Sequence, residues 1–169
     1  MNPNSTETNS TLLSAPEFET RISEAIKTPK SAMPPAKLLL VGFGGLDLLV
    51  GDHGTEGARA ILREVSVRLG QLVTTGAPGA QLFGDRFAIL LQSGASSKQV
   101  TELVLKTLNA PITFRGEEHI LQPRFGMAAT INASDTRDLI RRATAALQRA
   151  ESSGGRTPAL YETNLMPLH

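Results

Sequence analysis

The sequence contains no cysteine. Disulfide frameworks, thiolate zinc sites and cysteine nucleophiles are thereby excluded, and a reducing cytoplasm is the expected setting. No apolar run approaches the roughly 20 residues that a membrane helix needs. The N-terminal stretch Met1 to Thr11 is polar and rich in Asn, Ser and Thr, without the basic start and apolar core of a secretory signal. Neither sign of charge is in excess: 17 Lys and Arg face 16 Asp and Glu, for a net charge of +1. A nucleic-acid binder needs a basic face, so neither nucleic acid nor membrane is expected as a partner. The three histidines, His53, His119 and His169, are far apart in the chain and show no metal-ligand spacing. No internal repeat stands out.

What is present suits one compact domain. The chain has 169 residues, 40% of them hydrophobic and 20% charged, which is enough to build a core. Residues 1–13 read as a disordered tail, 14–163 as the domain and 164–169 as a second tail. Ser14 and Glu17 have capping-box spacing, so a helix is expected to follow, with Phe18, Ile22, Ala25 and Ile26 on one face. Pro-rich residues 28–35 read as a linker. Ala36 to Phe43 predicts a strand buried on both faces, followed by a turn at Gly42, Gly44 and Gly45. A short helix over 46–50 is broken at Gly51 to Gly54. A longer one runs from about Glu56 to Val73, its stripe formed by Ile61, Leu62, Val65, Leu69 and Leu72, while Arg59, Arg63 and Arg68 point elsewhere. Ala80–Phe83 and Phe87–Gln92 form a hairpin about Gly84-Asp85. Ser96 caps a helix through Leu108. Strands follow at 112–114 and at 119–131, the latter interrupted by Pro123. A last helix runs from Thr136 to Glu151, ended by Gly154-Gly155, before a short strand at Leu160 and Tyr161.

Four blocks in this order resemble the GGDEF family of diguanylate cyclases over about Phe18 to Tyr161. Leu139 to Ala150 is similar to the family's final helix, L-x-x-A-D-x-A-L-Y-x-A-K. Arg124-Phe125-Gly126-Met127-Ala128 is similar to the S-I-G-I-A strand before it. Gln81 to Leu91 is similar to the signature hairpin, with Phe83-Gly84-Asp85-Arg86-Phe87 at the signature itself. Leu38 to Arg59 aligns with D-x-D-x-F-K-x-I-N-D-x-x-G-H-x-x-G-D. The resemblance implies an α+β fold: a ferredoxin-like palm of the nucleotide-cyclase type, a central mixed sheet of about five strands flanked by helices.

It also implies a chemistry against which the residues can be compared. The family condenses two GTP molecules, with magnesium held by acids from the first strand and the hairpin tip. In this sequence Gly42 and Gly44 stand at the two strand aspartates. Phe83 replaces the first signature glycine and Arg86 the second acid, leaving Asp85 as the surviving acid. Val50 stands where an asparagine would read guanine, Arg59 where an acid would assist it, Thr55 at the histidine, and Glu151 at the phosphate-binding lysine. The R-x-x-D product-inhibition motif is absent near Thr74 to Ala77. Arg86 is expected to pair with Asp85 or Asp47, His53 to be a loop histidine, and Arg141 and Arg142 to be a solvated helix face.

The expectation that follows is a non-enzymatic regulatory domain without a cofactor or metal. It would act by protein–protein contact in cyclic-di-GMP signalling, with itself or another signalling protein as partner. Two alternatives stand beside it: a nucleotide sensor for GTP or cyclic-di-GMP, in which Arg86 with Gly42, Gly44 and Gly45 cradles an anion, and a weak cyclase with an altered site. A dinucleotide-loop reading of Gly42-Phe43-Gly44-Gly45 is disfavoured, because Asp47 holds the third glycine position and βαβ alternation is missing.

Overall fold

A computed structural model describes residues 12–27, 35–44, 46–73, 77–82, 85–92, 94–153 and 159–161; at 47–50, 52 and 159–161 only the backbone is described. The expectations for residues 1–11, residues 28–34 of the linker, Gly45, residues 74–76, Phe83, Gly84, Gly154-Gly155 and residues 162–169 lie outside the described residues, as do those for the side chains of Asp47 and Val50.

The elements are α1 (Ala15–Lys27), β1 (Lys37–Gly44), α2 (Leu46–Gly70), β2 (Gly79–Gln81), β3 (Phe87–Leu91), α3 (Ser97–Leu108), β4 (Ile112–Phe114), β5 (Glu117–His119), β6 (Gln122–Ala129), α4 (Thr136–Ser153) and β7 (Ala159–Tyr161). Five strands form one sheet in the order β2-β3-β1-β6-β7, and β4 and β5 form a separate hairpin. β1 is antiparallel to both β3 and β6, while β6 and β7 are parallel. The sheet is therefore mixed, as expected. The antiparallel neighbours of β1 also exclude the doubly wound parallel sheet of a dinucleotide-binding domain.

The apolar run of β1 divides its side chains between two cores, because successive strand residues point to opposite faces. Leu39 and Val41 join Phe87, Ile89 and Leu91 of β3, Phe125 and Met127 of β6, Ile61, Val65 and Leu69 of α2, and Val104 and Leu108 of α3. Leu38 and Leu40 join Phe18 and Ile22 of α1 and Leu139, Ala143 and Leu147 of α4 on the other face. Leu62, expected in the core, is only partly buried. Gly126 lets α4 approach the sheet closely: a Cβ there would clash with the Leu147 nitrogen and stand 2.7 Å from the Ala143 carbonyl oxygen.

The caps behave as their spacing predicts. Ser14 and Glu17 bond reciprocally: the Glu17 amide donates to Ser14 Oγ at 3.3 Å and the Ser14 amide to Glu17 Oε1 at 3.2 Å. The Gln99 amide donates to Ser96 Oγ at 3.2 Å. At the start of α4 the Asp138 amide donates to Asp135 Oδ1 at 2.8 Å, and Asp138 in turn accepts from the Ser134 amide at 3.0 Å. Arg142, expected in solvent, is instead mostly buried: it lies 3.0 Å from Asp138 Oδ2 and donates to the Asn132 carbonyl at 2.9 Å. The Ser134 amide, with Arg141 and Arg142 beside it, lowers the Asp138 pKa from 3.8 to about 2.

Two boundaries differ from expectation. Leu13 already bridges to Ala80 and Leu12 packs against the core, so residues 12 and 13 are not part of a tail. The break expected within Gly51 to Gly54 falls at Gly54, whose φ of 74° and ψ of −177° are non-helical and suit glycine, so α2 is two helical segments meeting at a kink. The strand expected over 119–131 is two strands separated at Ile120 and Leu121. Pro123 lies inside β6, opposite Phe43. β7 pairs only with residues 126–128, so at Pro123 the strand has one neighbour and its missing N–H costs no ladder bond. Among the described residues no helix is long and apolar enough to cross a membrane.

Candidate functional site

The cleft forms where β1 ends, the β2–β3 hairpin turns back and α4 finishes. The register Val41↔Phe87 sets Gly42 and Gly44 beside Asp85 and Arg86. The register Gly42↔Arg124 brings in Arg124 from the other side. The last turns of α4 supply Glu151. Phe43, Gly44, Leu46, Asp85, Arg86, Arg124 and Glu151 line a cavity of about 340 Å³.

An ion pair spans this cleft. Arg86 Nη2 lies 3.4 Å from Glu151 Oε1, while its Nε is 3.9 Å from Asp85 Oδ1. Glu151, rather than Asp85, is therefore the nearer partner, because the end of α4 overhangs the strand. The pair also explains Gly42. A Cβ at that position would stand 2.8 Å from Glu151 Oε2, 3.2 Å from Leu147 Cδ2 and 3.6 Å from Arg86 Nη1. The carboxylate occupies the space into which a side chain at 42 would project. Gly44 is different: a Cβ there meets only the Gln122 carbonyl and side-chain oxygens at 3.9 Å. Arg86 Nη1 is buried and has no hydrogen-bond partner among the described residues.

The remaining expected site residues do not all converge here. Phe87 is a core residue, 1% exposed, its ring edge-on to Phe43 with centroids 5.9 Å apart. Arg59 is exposed and lines a separate cavity of about 450 Å³ with Thr55, Ala58, Leu62, Arg63, Ser66 and Gln81. Arg124 was missed by the sequence reading. It opens the Arg124-Phe125-Gly126-Met127-Ala128 block, and its cross-strand position opposite Gly42 depends on register, which the block alone does not state.

Magnesium, implied by the family resemblance, does not fit the residues described. Asp85 is a single, half-exposed carboxylate beside a guanidinium, and Glu151 is engaged with that same guanidinium. A hard divalent cation takes several oxygen ligands and avoids an adjacent cation.

A mixed five-stranded palm with helices on both faces, its central strand ending against a hairpin tip, defines a domain of the nucleotide-cyclase type. The sequence profile described as "Diguanylate cyclase, GGDEF domain" matches residues 10–157. The chain belongs to the GGDEF family. Among solved structures it is similar to the GGDEF domain of YfiN (TpbB) from Pseudomonas aeruginosa, with a TM-score of 0.79 and 21% identity over 91% of this chain and 99% of that one. It is also similar to the GGDEF domain of DgcB from Caulobacter crescentus in complex with c-di-GMP, with a TM-score of 0.77 and 16% identity over 92% of each chain. At such identities the likeness is one of fold. A curated relative, the uncharacterized protein y4lL of Sinorhizobium fredii (strain NBRC 101917 / NGR234), is 29% identical over 153 residues, and the match spans 88% of this chain but only 18% of that protein.

The expectation of a non-enzyme is corrected by the family match, which places the chain among diguanylate cyclase domains. The misfit with magnesium concerns one way of holding a metal and is no measurement of turnover.

Proposed function

We propose that this GGDEF-family domain serves cyclic-di-GMP signalling inside the bacterial cell by contact with a protein partner, either a second copy of itself or another signalling protein. The observation that carries this reading is the Arg86–Glu151 pair laid over Gly42. One comparison supports it. A similar fold, with a TM-score of 0.79 and 15% identity, occurs in the diguanylate cyclase SiaD in complex with its activator SiaC, from Pseudomonas aeruginosa.

Genetic rescue tests the proposal. Deleting the gene should change the cellular cyclic-di-GMP level, wild type should restore it, and a partner should be recovered by crosslinking. Restoration of the level with no partner recovered would overturn the contact reading. Turnover of GTP with magnesium is measured in parallel on the purified chain.

A second reading, a nucleotide sensor, has its own observation. The buried Arg86 Nη1 lacks a hydrogen-bond partner among the described residues, and Arg124 lines the same cavity. Guanidinium groups bind phosphate directly. Calorimetry with GTP and with cyclic-di-GMP, in the absence of magnesium, tests it. Heat that disappears in Arg86→Ala supports a sensor; no heat with either ligand removes it.

A further inference from the structure

Two of the histidines that the sequence keeps far apart, His53 and His119, meet in the fold. His53 lies just before the bend of α2 at Gly54, and His119 closes β5. Glu117 sits two residues before His119, so both side chains project from the same face of the hairpin. His53 Nε2 lies 2.9 Å from Glu117 Oε1, and His119 Nε2 lies 4.0 Å from the same oxygen. The three ligand atoms all fall within 4.8 Å of one another.

The packing holds the imidazoles in place. The His53 ring is edge-on to Phe114 at 5.4 Å and to His119 at 5.3 Å. Gly57, one turn along α2, leaves room for it: a Cβ there would stand 2.4 Å from His53 Cβ and 3.3 Å from Phe114 Cε2. Both histidine side chains are mostly buried, at 13% and 18% exposed, whereas Glu117 is 63% exposed at the rim. Arg115, the cation in the hairpin turn, is paired with Glu56 at 3.3 Å.

We propose that His53, His119 and Glu117 form a binding site for a first-row divalent transition metal, with zinc as its ligand. A hydrogen bond between His53 and Glu117 accounts for only part of the arrangement. It leaves His119 Nε2 buried, aimed at the same carboxylate and without a hydrogen-bond partner among the described residues. A metal at the centre engages all three groups. Tetrahedral zinc with bonds of about 2.0–2.1 Å separates its ligand atoms by roughly 3.3 Å. The observed separations bracket that value, and the exposed Glu117 has room to swing. Two imidazoles with one carboxylate suit zinc, cobalt or nickel, whereas magnesium and calcium prefer all-oxygen sites. Three protein ligands leave one position for water. The site would clamp the β4–β5 hairpin to α2 at its bend. It is independent of the cleft at Arg86 and of the contact function proposed above.

The test uses the full chain without an affinity tag, stripped of metal by a chelator. Titration with zinc chloride should show one saturable site per chain and raise the Tm, while magnesium chloride does neither. Cobalt should give the visible absorption bands of a tetrahedral site. His53→Gln and His119→Gln should each weaken zinc binding by about 10-fold or more, and His169→Gln should leave it unchanged. Should either core-facing histidine variant fail to fold, Glu117→Gln at the exposed rim decides, with the same expected direction. Absence of saturable zinc binding at micromolar metal overturns the proposal. So does zinc binding that is unaffected by these substitutions but lost in His169→Gln.

Discussion

Replacing Asp138 by asparagine tests the physical account of the start of α4 most directly. The carboxylate accepts from the Ser134 amide at 3.0 Å and lies 2.7 Å from Arg141 and 3.0 Å from Arg142. These partners favour the charged form, and the group titrates at about 2 in place of its ordinary 3.8. Because the folded pKa is depressed, the stabilisation is fully present above the unfolded value and lost as pH falls through 3.8 towards 2. By linkage it amounts to about 2 kcal/mol at neutral pH. The Asp138→Asn side chain preserves shape but carries no charge, and so removes the carboxylate that faces the buried Arg142 guanidinium. Urea unfolding at pH 7 should therefore shift to a midpoint lower by about 1 M for an m-value near 2 kcal/mol/M. The difference between wild type and variant should shrink steadily between pH 4 and pH 2. A difference of the same size at both ends of that window would refute the electrostatic account and leave helix propensity or packing as the cause.

The other predictions are simpler. Gly126→Ala should cost about 3 kcal/mol, at the upper end of overpacking penalties, because the new methyl would meet the backbone of Leu147 and Ala143; denaturation with little change in midpoint would show that α4 can retreat. Ser96→Ala should remove the bond to the Gln99 amide and cost about 1 kcal/mol, measured in the same way. Glu151→Ala should release Arg86 and tighten binding of inorganic pyrophosphate by about two- to fivefold, as expected for removing one partner of a partly exposed ion pair; weaker binding would show that the pair is not what occupies the arginine. Gly57→Ala should displace the His53 ring and weaken zinc binding without touching a ligand, read by calorimetry.

Much of the scaffold was legible in the sequence because it is local. Ser14 and Glu17, and Ser96 and Gln99, are each three residues apart, and the spacing alone states the cap. The helical stripes and the apolar run of β1 report burial through their periods, and the order of elements with the Arg124 to Ala128 and Leu139 to Ala150 blocks was enough to indicate the family that the profile match then established. The strand break at Ile120 and Leu121 was misplaced onto Pro123, because a proline is tolerated where a strand has a neighbour on only one side, and neighbours are a tertiary fact.

The candidate sites were legible only as residue types. Nothing local relates Arg86 to Glu151, which are 65 positions apart, or His53 to Glu117, 64 apart. Arg142 looked like a surface residue until the turn at Asn132 folded over it. The sequence by itself determined which segments are helices and strands, which residues are apolar enough to fill the cores, and hence the class of fold. Only the tertiary structure decided which charges and imidazoles face one another, because pairing at long range is set by sheet register and helix docking, and a shift of one residue in register sends a side chain to the opposite face.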